Sequence, residues 1–263
     1  MDRLQGKAAV VLGAASKGNM AQAIARRFRA EGAQVVVAGR KMDELRRFAS
    51  EIGGHALQCD ITKYEDLAAL AQNAVQKMGS ISIAVNATGW GLLKPFLETT
   101  PDELSQMTAL QFMGPFQFCQ AMIRVMTKGG SIIQISSATA TIMLNDHAAY
   151  MGAKAGADHV IRCVANEFGE RGIRANSISP GLTETPMTAA HKEVPGLFEC
   201  FRERYPLGRI GTSEDIAAAA VWLASDECFM TGENLQVNGG LILRRNPSSA
   251  EMSAAIAKAS GAH

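Results

Sequence analysis

Residues 131–169 read SIIQISSATATIMLNDHAAYMGAKAGADHVIRCVANEFG, and this stretch decides the fold. An apolar run with the character of a buried strand stops at Ser136-Ser137, a short polar link follows, and a long helical pattern then carries Tyr150 and Lys154. Residues four apart share one helical face, with Cβ atoms roughly 5–6 Å apart, so the phenol and the ammonium can act on one spot. A further strand pattern, IRANSISPG at 173–181, comes next. Strand, helix and strand in that order build an α/β sheet, whose strand ends gather side chains at one edge.

That pairing has a chemical meaning. A free tyrosine, with a pKa of about 10, is a poor base near neutrality. A lysine charge about 4 Å away, at an effective dielectric near 20, is worth about 4 kcal/mol, enough to stabilise the phenolate by up to roughly three pKa units. Such a tyrosine gives a proton to a carbonyl oxygen or takes one from an alcohol. Ser137, at the end of the preceding strand, can hold the same oxygen by a hydrogen bond.

The start of the chain supports the same architecture. Lys7–Leu12 is a short apolar run ending in Gly13, followed by the helix pattern MAQAIARRFRAEG at 20–32. A strand, a glycine loop and a helix place backbone amides at a helix N-terminus, where the pyrophosphate of a dinucleotide is received. Gly13, Ser16, Lys17, Asn19 and Met20 are therefore candidate cofactor residues. The second strand pattern, Gln34–Gly39, ends in Arg40-Lys41 rather than in the acidic residue that holds an NAD ribose. Arg40, with Lys17 beside it, suits a 2′-phosphate, so NADP(H) is favoured and NAD(H) remains possible.

The whole span from Leu4 to Gly240 resembles the short-chain dehydrogenase/reductase family, in its branch of compact nicotinamide-dependent oxidoreductases. The resemblance implies a doubly wound α/β Rossmann fold: a central parallel sheet of about seven strands with helices on both faces. It implies one domain over 1–243, with a substrate lid at about 187–205 and a tail over 244–263 that either caps a neighbouring subunit or is loose. Asp60, after the strand pattern HALQCD, resembles the family aspartate that meets the adenine amino group, with Ile61 beside it. Asn86-Ala87-Thr88-Gly89 resembles the family's N-N-A-G; Asn86 braces the sheet centre, and Gly89 lies near the cofactor ribose. NSISPGLTETPM at 176–187 is close to N-x-x-x-P-G-x-x-x-T-P-M, so Pro180, Gly181, Leu182 and Thr185 meet the nicotinamide amide, while Tyr150 and Lys154 meet its ribose. A homotetramer, or a homodimer, is implied as well.

Two departures from the family matter. The loop Gly13-Ala14-Ala15-Ser16-Lys17-Gly18-Asn19-Met20-Ala21 is one residue longer than G-x-x-x-G-x-G and is similar to that of the enoyl-acyl-carrier-protein reductases. The family asparagine that supports a water chain to the lysine is replaced by Gln111, and Pro115 in the same helix demands a kink or bulge. Gln111 is kept as a candidate member of the catalytic set. Substrate candidates are Trp90, in a loop that continues with Leu92, Leu93, Pro95 and Phe96, then His147, and Met187 and His191 in the lid; the loop equally suits subunit packing. Thr62-x-x-Glu65 and Thr100-Pro101-x-Glu103 read as capping boxes.

Composition excludes other classes. A formal net charge of +1 with 19% charged residues offers no basic footprint for nucleic acid. No stretch has the layout of a signal peptide or the roughly 18 apolar residues of a membrane span, so a cytoplasmic location is expected. Five scattered cysteines, without C-x-x-C or histidines at ligand spacing, predict neither a disulfide nor a metal. His55, His159 and His263 have no spacing for metal or triad chemistry. The expected reaction interconverts a secondary alcohol and a ketone on an apolar or amphipathic small molecule such as a steroid, a cyclic or aryl ketone or a 3-oxoacyl thioester. Reduction of an activated carbon–carbon double bond, and a nucleotide-binding scaffold without turnover, are the alternatives.

Overall fold

The computed structural model describes residues 2–186 and 188–261. Met187 and His263 lie outside them, as does the side chain of His191. The strands are β1 (Ala8–Leu12), β2 (Gln34–Gly39), β3 (His55–Gln58), β4 (Ile83–Asn86), β5 (Gly130–Ile135), β6 (Ile173–Pro180), β7 (Thr183–Glu184), β8 (Gly211–Thr212) and β9 (Asn234–Val237). The helices are α1 (Met20–Ala30), α2 (Met42–Ile52), α3 (Tyr64–Met78), α4 (Pro101–Thr108), α5 (Gly114–Val125), α6 (Ala148–Phe168), α7 (Ala189–Lys192), α8 (Leu197–Arg202), α9 (Ser213–Ala224) and α10 (Ser249–Ala259).

Seven strands form one parallel sheet in the order β3-β2-β1-β4-β5-β6-β9. The strands read as continuous apolar runs because both faces are covered. Alternate residues then go to opposite sides. Ala9, Val11, Val35, Val37, Val85 and Ile133 meet Ile24 and Phe28 of α1 and Ile216, Ala220 and Val221 of α9. Val10, Leu12, Val36, Ala84 and Ile132 meet Leu67 and Leu70 of α3, Phe118 and Met122 of α5, and Ile161 of α6. The chain runs outward from β1 to β2 and β3, then crosses to β4 and continues the other way. The loops leaving β1 and β4 therefore part at the sheet centre, and such a switch point forms the crevice in which ligands bind.

Thr100 caps α4 through the expected box with Glu103. The helix does not run straight on: a single π turn occupies Ala109–Met113 before α5 begins. Proline in a helix interior lacks a donor and clashes with the carbonyl four residues back, and an extra residue in the turn relieves both. Pro115 thus explains the interruption.

One expectation is corrected. Thr62 does not cap α3, whose N-cap is Lys63 without a side-chain hydrogen bond. Instead Thr62 donates its N–H and its hydroxyl to Asp60 Oδ1, at 3.0 and 2.8 Å, and Asp66 accepts the N–H of Asp60 at 2.9 Å. A threonine two residues after an aspartate closes an Asx turn more readily than a distant helix end. The tail over 244–261 makes contacts within its own chain. Glu251 of α10 caps its own helix with Ser248 and binds Arg204 and Arg245, each at 2.6 Å. Asn246 is buried and donates to the Met143 carbonyl at 3.0 Å. The backbone at Gly196 lies so near α10 that a Cβ there would come within 2.4 Å of the Ala255 oxygen.

Candidate active site

Ser137, Tyr150 and Lys154 converge where β5 ends and α6 begins. Ser137 follows the last residues of β5 and opens a short 3₁₀ turn, accepting the Thr139 N–H at 3.2 Å, with the Thr139 hydroxyl 2.8 Å away. Its backbone oxygen accepts the Ser179 hydroxyl from β6 at 3.1 Å, which fixes the turn against the sheet. Tyr150 lies in the first turn of α6, and Lys154 lies one turn later. Lys154 is buried, and its ammonium donates to the Ile135 carbonyl at 2.8 Å, 5.6 Å from the centre of the Tyr150 ring.

The electrostatics differ from the expectation of a phenol lowered by lysine. Burial pushes Tyr150 up to about 12; the Ser137 hydroxyl opposes the rise and the Asp158 charge adds to it. Burial pushes Lys154 down to about 8, against the pull of Asp158. The ammonium lies over the ring while it is bound to the strand end. At pH 7 a lysine of pKa about 8 is still charged in roughly nine molecules of ten.

His147 packs on Tyr150, with ring centres 4.4 Å apart. Its Nδ1 lies 2.7 Å from the Leu92 carbonyl, an acceptor, so Nδ1 carries the proton and Nε2 keeps its lone pair. Burial lowers its pKa, which favours this neutral form. The Asp146 oxygen accepts the Lys94 N–H at 2.6 Å, so the loop after β4 and the entry to α6 are tied twice. Trp90 and Phe96 in that loop are exposed. Gln111 is fully buried and donates Nε2 to the Trp90 carbonyl at 3.0 Å, while its Oε1 has no partner among the described residues. Its amide nitrogen thus holds the Trp90 loop.

The residues around the switch point fit a dinucleotide. Gly13 has φ +112, and a Cβ on it would lie 2.7 Å from the Ala87 carbonyl, so only glycine lets the β1 and β4 loops meet. A Cβ on Gly39 would come 2.7 Å from that of Ala15, so glycine at the end of β2 lets the β1 loop pack against it. Asn19 caps α1: Oδ1 accepts the Gln22 N–H at 3.0 Å, and Nδ2 donates to the Gly13 carbonyl at 2.7 Å. Gln22, buried and unforeseen, accepts the Gly18 N–H at 2.9 Å and donates to the Ala14 carbonyl at 3.0 Å. These side chains shape the loop and leave its backbone to face a ligand. The first turn of α1 itself holds no acidic residue, which suits an anion at its positive end, although Glu44 of α2 accepts from Gln22 at 2.8 Å close by. Ser16 and Lys17 are exposed beside it, and Met20 packs against the core.

Arg40 stands exposed where β2 ends. Burial disfavours the Asp60 carboxylate, but the Thr62 hydrogen bonds and the Arg40 charge outweigh it and lower its pKa. The Ile61 side chain is buried in the core against Gly114, so its contribution to a ligand is backbone alone. Asn86 donates to Gln134 Oε1 at 2.9 Å and accepts from Thr88 at 3.1 and 2.8 Å, bracing β4 to β5 as expected. Gly89 lies against the Gln111 amide. Beyond Pro180, Gly181 packs against the Tyr205 phenol, which donates to the Leu182 carbonyl at 3.1 Å. The Thr185 N–H donates to the Thr188 hydroxyl at 3.1 Å. Phe198, Tyr205, Ile210 and Leu241 form a small apolar cluster that reaches Ala138, next to Ser137. Asp158, Ser136 and Asn234 were missed from the sequence; the signal was an acidic residue one turn beyond Lys154 on the same face.

Relatives agree with this geometry. A family model described as Enoyl-(Acyl carrier protein) reductase matches residues 13–242. D-threitol dehydrogenase of Mycolicibacterium smegmatis is 33% identical over 251 residues, covering 92% of this chain and 95% of that enzyme. 3beta-hydroxysteroid dehydrogenase 1 of Eggerthella lenta is 37% identical over 254 residues, covering 92% and 96%. A solved structure, a short-chain type dehydrogenase/reductase from Mycobacterium ulcerans, superposes with a TM-score of 0.90 at 29% identity, covering 96% of this chain and 98% of that one. The chain belongs to the short-chain dehydrogenase/reductase family. It is an NAD(P)-dependent oxidoreductase that interconverts a secondary alcohol and a ketone. Reduction of a carbon–carbon double bond, suggested by the glycine loop, is not favoured: the curated relatives named here are dehydrogenases. The scaffold alternative gives way for the same reason.

Proposed function

We propose that this oxidoreductase prefers NADP(H) and acts on an amphipathic secondary alcohol or ketone, with Tyr150 as general acid/base. The observation that carries this reading is the convergence of the Ser137 hydroxyl, the Tyr150 phenol and the buried Lys154 ammonium at the end of β5. Ser137 donates a hydrogen bond to the reacting oxygen. In reduction Tyr150 gives its proton to that oxygen; in oxidation the phenolate takes the hydroxyl proton, and the Lys154 charge stabilises it. The nicotinamide cofactor supplies or accepts the hydride. Gly13 and the α1 N-terminus receive the pyrophosphate, Arg40 and Lys17 the 2′-phosphate, and Asp60 the adenine.

Support for an amphipathic substrate comes from two kinds of side chain near Ser137 and Tyr150. Phe198, Leu182 and Ile142 are apolar, whereas Nε2 of His147 is a neutral acceptor next to Tyr150. Relatives named for a sugar alcohol and for a hydroxysteroid bracket that range. We also propose a cytoplasmic homotetramer; exposed Leu104, Met113 and Phe116 along α4 and α5 supply apolar surface for assembly. Among the described residues, no helix is long and apolar enough to cross a membrane. The test is oxidation of NADPH and NADH against a panel of ketones, with Tyr150→Phe as the control. Turnover that favours NADPH and falls by about 10²-fold or more in the variant is expected. Equal turnover in both proteins refutes the role of Tyr150, and a clear preference for NADH refutes that of Arg40.

A further inference from the structure

Asp158 stands one turn beyond Lys154 on the same face of α6, with its carboxylate directed inward. Its Oδ2 accepts two 2.7 Å hydrogen bonds, from the Ser136 hydroxyl at the end of β5 and from Asn234 Nδ2 on β9. Its Oδ1 is buried without a hydrogen-bond partner among the described residues. Ser136 adjoins Ser137, and Ile135, whose carbonyl takes the Lys154 ammonium, adjoins Ser136. One carboxylate thus ties together the strand end, the helix and the far strand that frame the candidate catalytic residues.

We propose that Asp158 is a positioning residue for Lys154: its buried carboxylate keeps the ammonium charged and seated at the end of β5, and through it supports Tyr150. This rests on the roles proposed above for Tyr150 and Lys154. A buried ammonium whose contact is a backbone carbonyl carries a desolvation penalty, and an opposite charge nearby offsets it. Lys154 meets the Ile135 carbonyl and the Tyr150 ring, and the side chains gathered on Asp158 and Tyr150 are uncharged: Ser136 from β5, Ser177 from β6, Asn234 from β9, and His147 stacked on Tyr150. The Coulombic influence on Lys154 comes from Asp158, which holds it up while burial pushes it down. Reciprocally, burial pushes Asp158 up, and Ser177, Ser136, Lys154 and Asn234 oppose the rise. An amide at 158 would brace the same three elements without that charge, so the structural and electrostatic roles separate.

In alcohol oxidation the phenolate is the reactive form. With Tyr150 at about 12 and Lys154 at about 8, the form that carries phenolate and ammonium together rises with pH until Lys154 loses its proton and then levels off. Removing the carboxylate lowers the Lys154 pKa and moves the end of this rising limb to lower pH. The experiment is kcat against pH for Asp158→Asn, Asp158→Ser, Asp158→Glu and the wild type, at saturating NADP and alcohol, with folding checked by thermal melting. A downward shift of about one pH unit in the neutral variants that fold is expected from loss of an opposite charge at this range. Asp158→Glu, which keeps the charge, should stay near the wild type. A limb that does not move in a folded neutral variant, or that moves as far in Asp158→Glu as in Asp158→Asn, overturns the proposal; Asp158→Ser serves should Asp158→Asn fail to fold. Loss of activity in Tyr150→Phe together with an unmoved limb in Asp158→Asn would sink this inference alone, whereas full activity in Tyr150→Phe would sink the mechanism beneath it.

Discussion

Gly13→Ala tests the dinucleotide crevice. At φ +112 an alanine is strained, costing roughly 1–3 kcal/mol. Its Cβ would also lie 2.7 Å from the Ala87 carbonyl carbon and oxygen and 2.9 Å from the Thr88 nitrogen. Relaxed carbon contacts sit at about 3.5–4.0 Å, so the two loops must part by nearly an ångström. Such overpacking costs a further 1–3 kcal/mol or so, for a total of about 2–6 kcal/mol against a folding stability of about 5–15 kcal/mol. Gly18→Ala is the matched comparison: φ is +72 with nothing within 4 Å of the added carbon, so only strain of about 1–2 kcal/mol remains. Urea unfolding followed by circular dichroism reads the stabilities, and titration of NADPH fluorescence reads binding. Gly13→Ala should lose more stability than Gly18→Ala and bind NADPH at least tenfold more weakly, about 1.4 kcal/mol. Two equally mild variants would refute the reading that the loops meet through Gly13.

Arg40→Ala should weaken NADPH about ten- to a hundredfold, the worth of a charged hydrogen bond, while leaving NADH unchanged; the same titration checks it. The Arg3 hydrogen bond holds Glu31 down to about 2, so Glu31 contributes stability that is present above its ordinary pKa of 4.5 and lost as pH falls toward 2. Melting temperature measured across that window should fall less steeply in Glu31→Gln than in the wild type. Glu251→Gln removes the pairs to Arg204 and Arg245, and hydrogen exchange in α8 and α10 should quicken while NADPH binding stays unchanged.

Local periodicity carried most of the fold. β2 runs over Gln34–Gly39 as its apolar run predicts, and the proline-driven break near Gln111 appears as a π turn. The convergence of Ser137, Tyr150 and Lys154 was legible because two of the three are separated by one helical turn and the third ends the adjoining strand. What stayed hidden depends on contacts between distant segments. Thr62 matched a capping pattern, yet Asp60 competes for its hydroxyl at closer range. The direction of the Tyr150 shift needs the depth of burial, which no spacing encodes. Asp158 looked like any polar residue on a helix until β9 brought Asn234 to it.

The position of α10 gives the chain an order of completion. During synthesis Asn234 reaches Asp158 only once β9 has emerged, and Met143 and Arg204 meet Asn246 and Glu251 only when these last residues have left the ribosome. A product truncated before residue 244 would have all seven strands of the sheet in its sequence yet lack the partners of Arg204 and of the Met143 carbonyl.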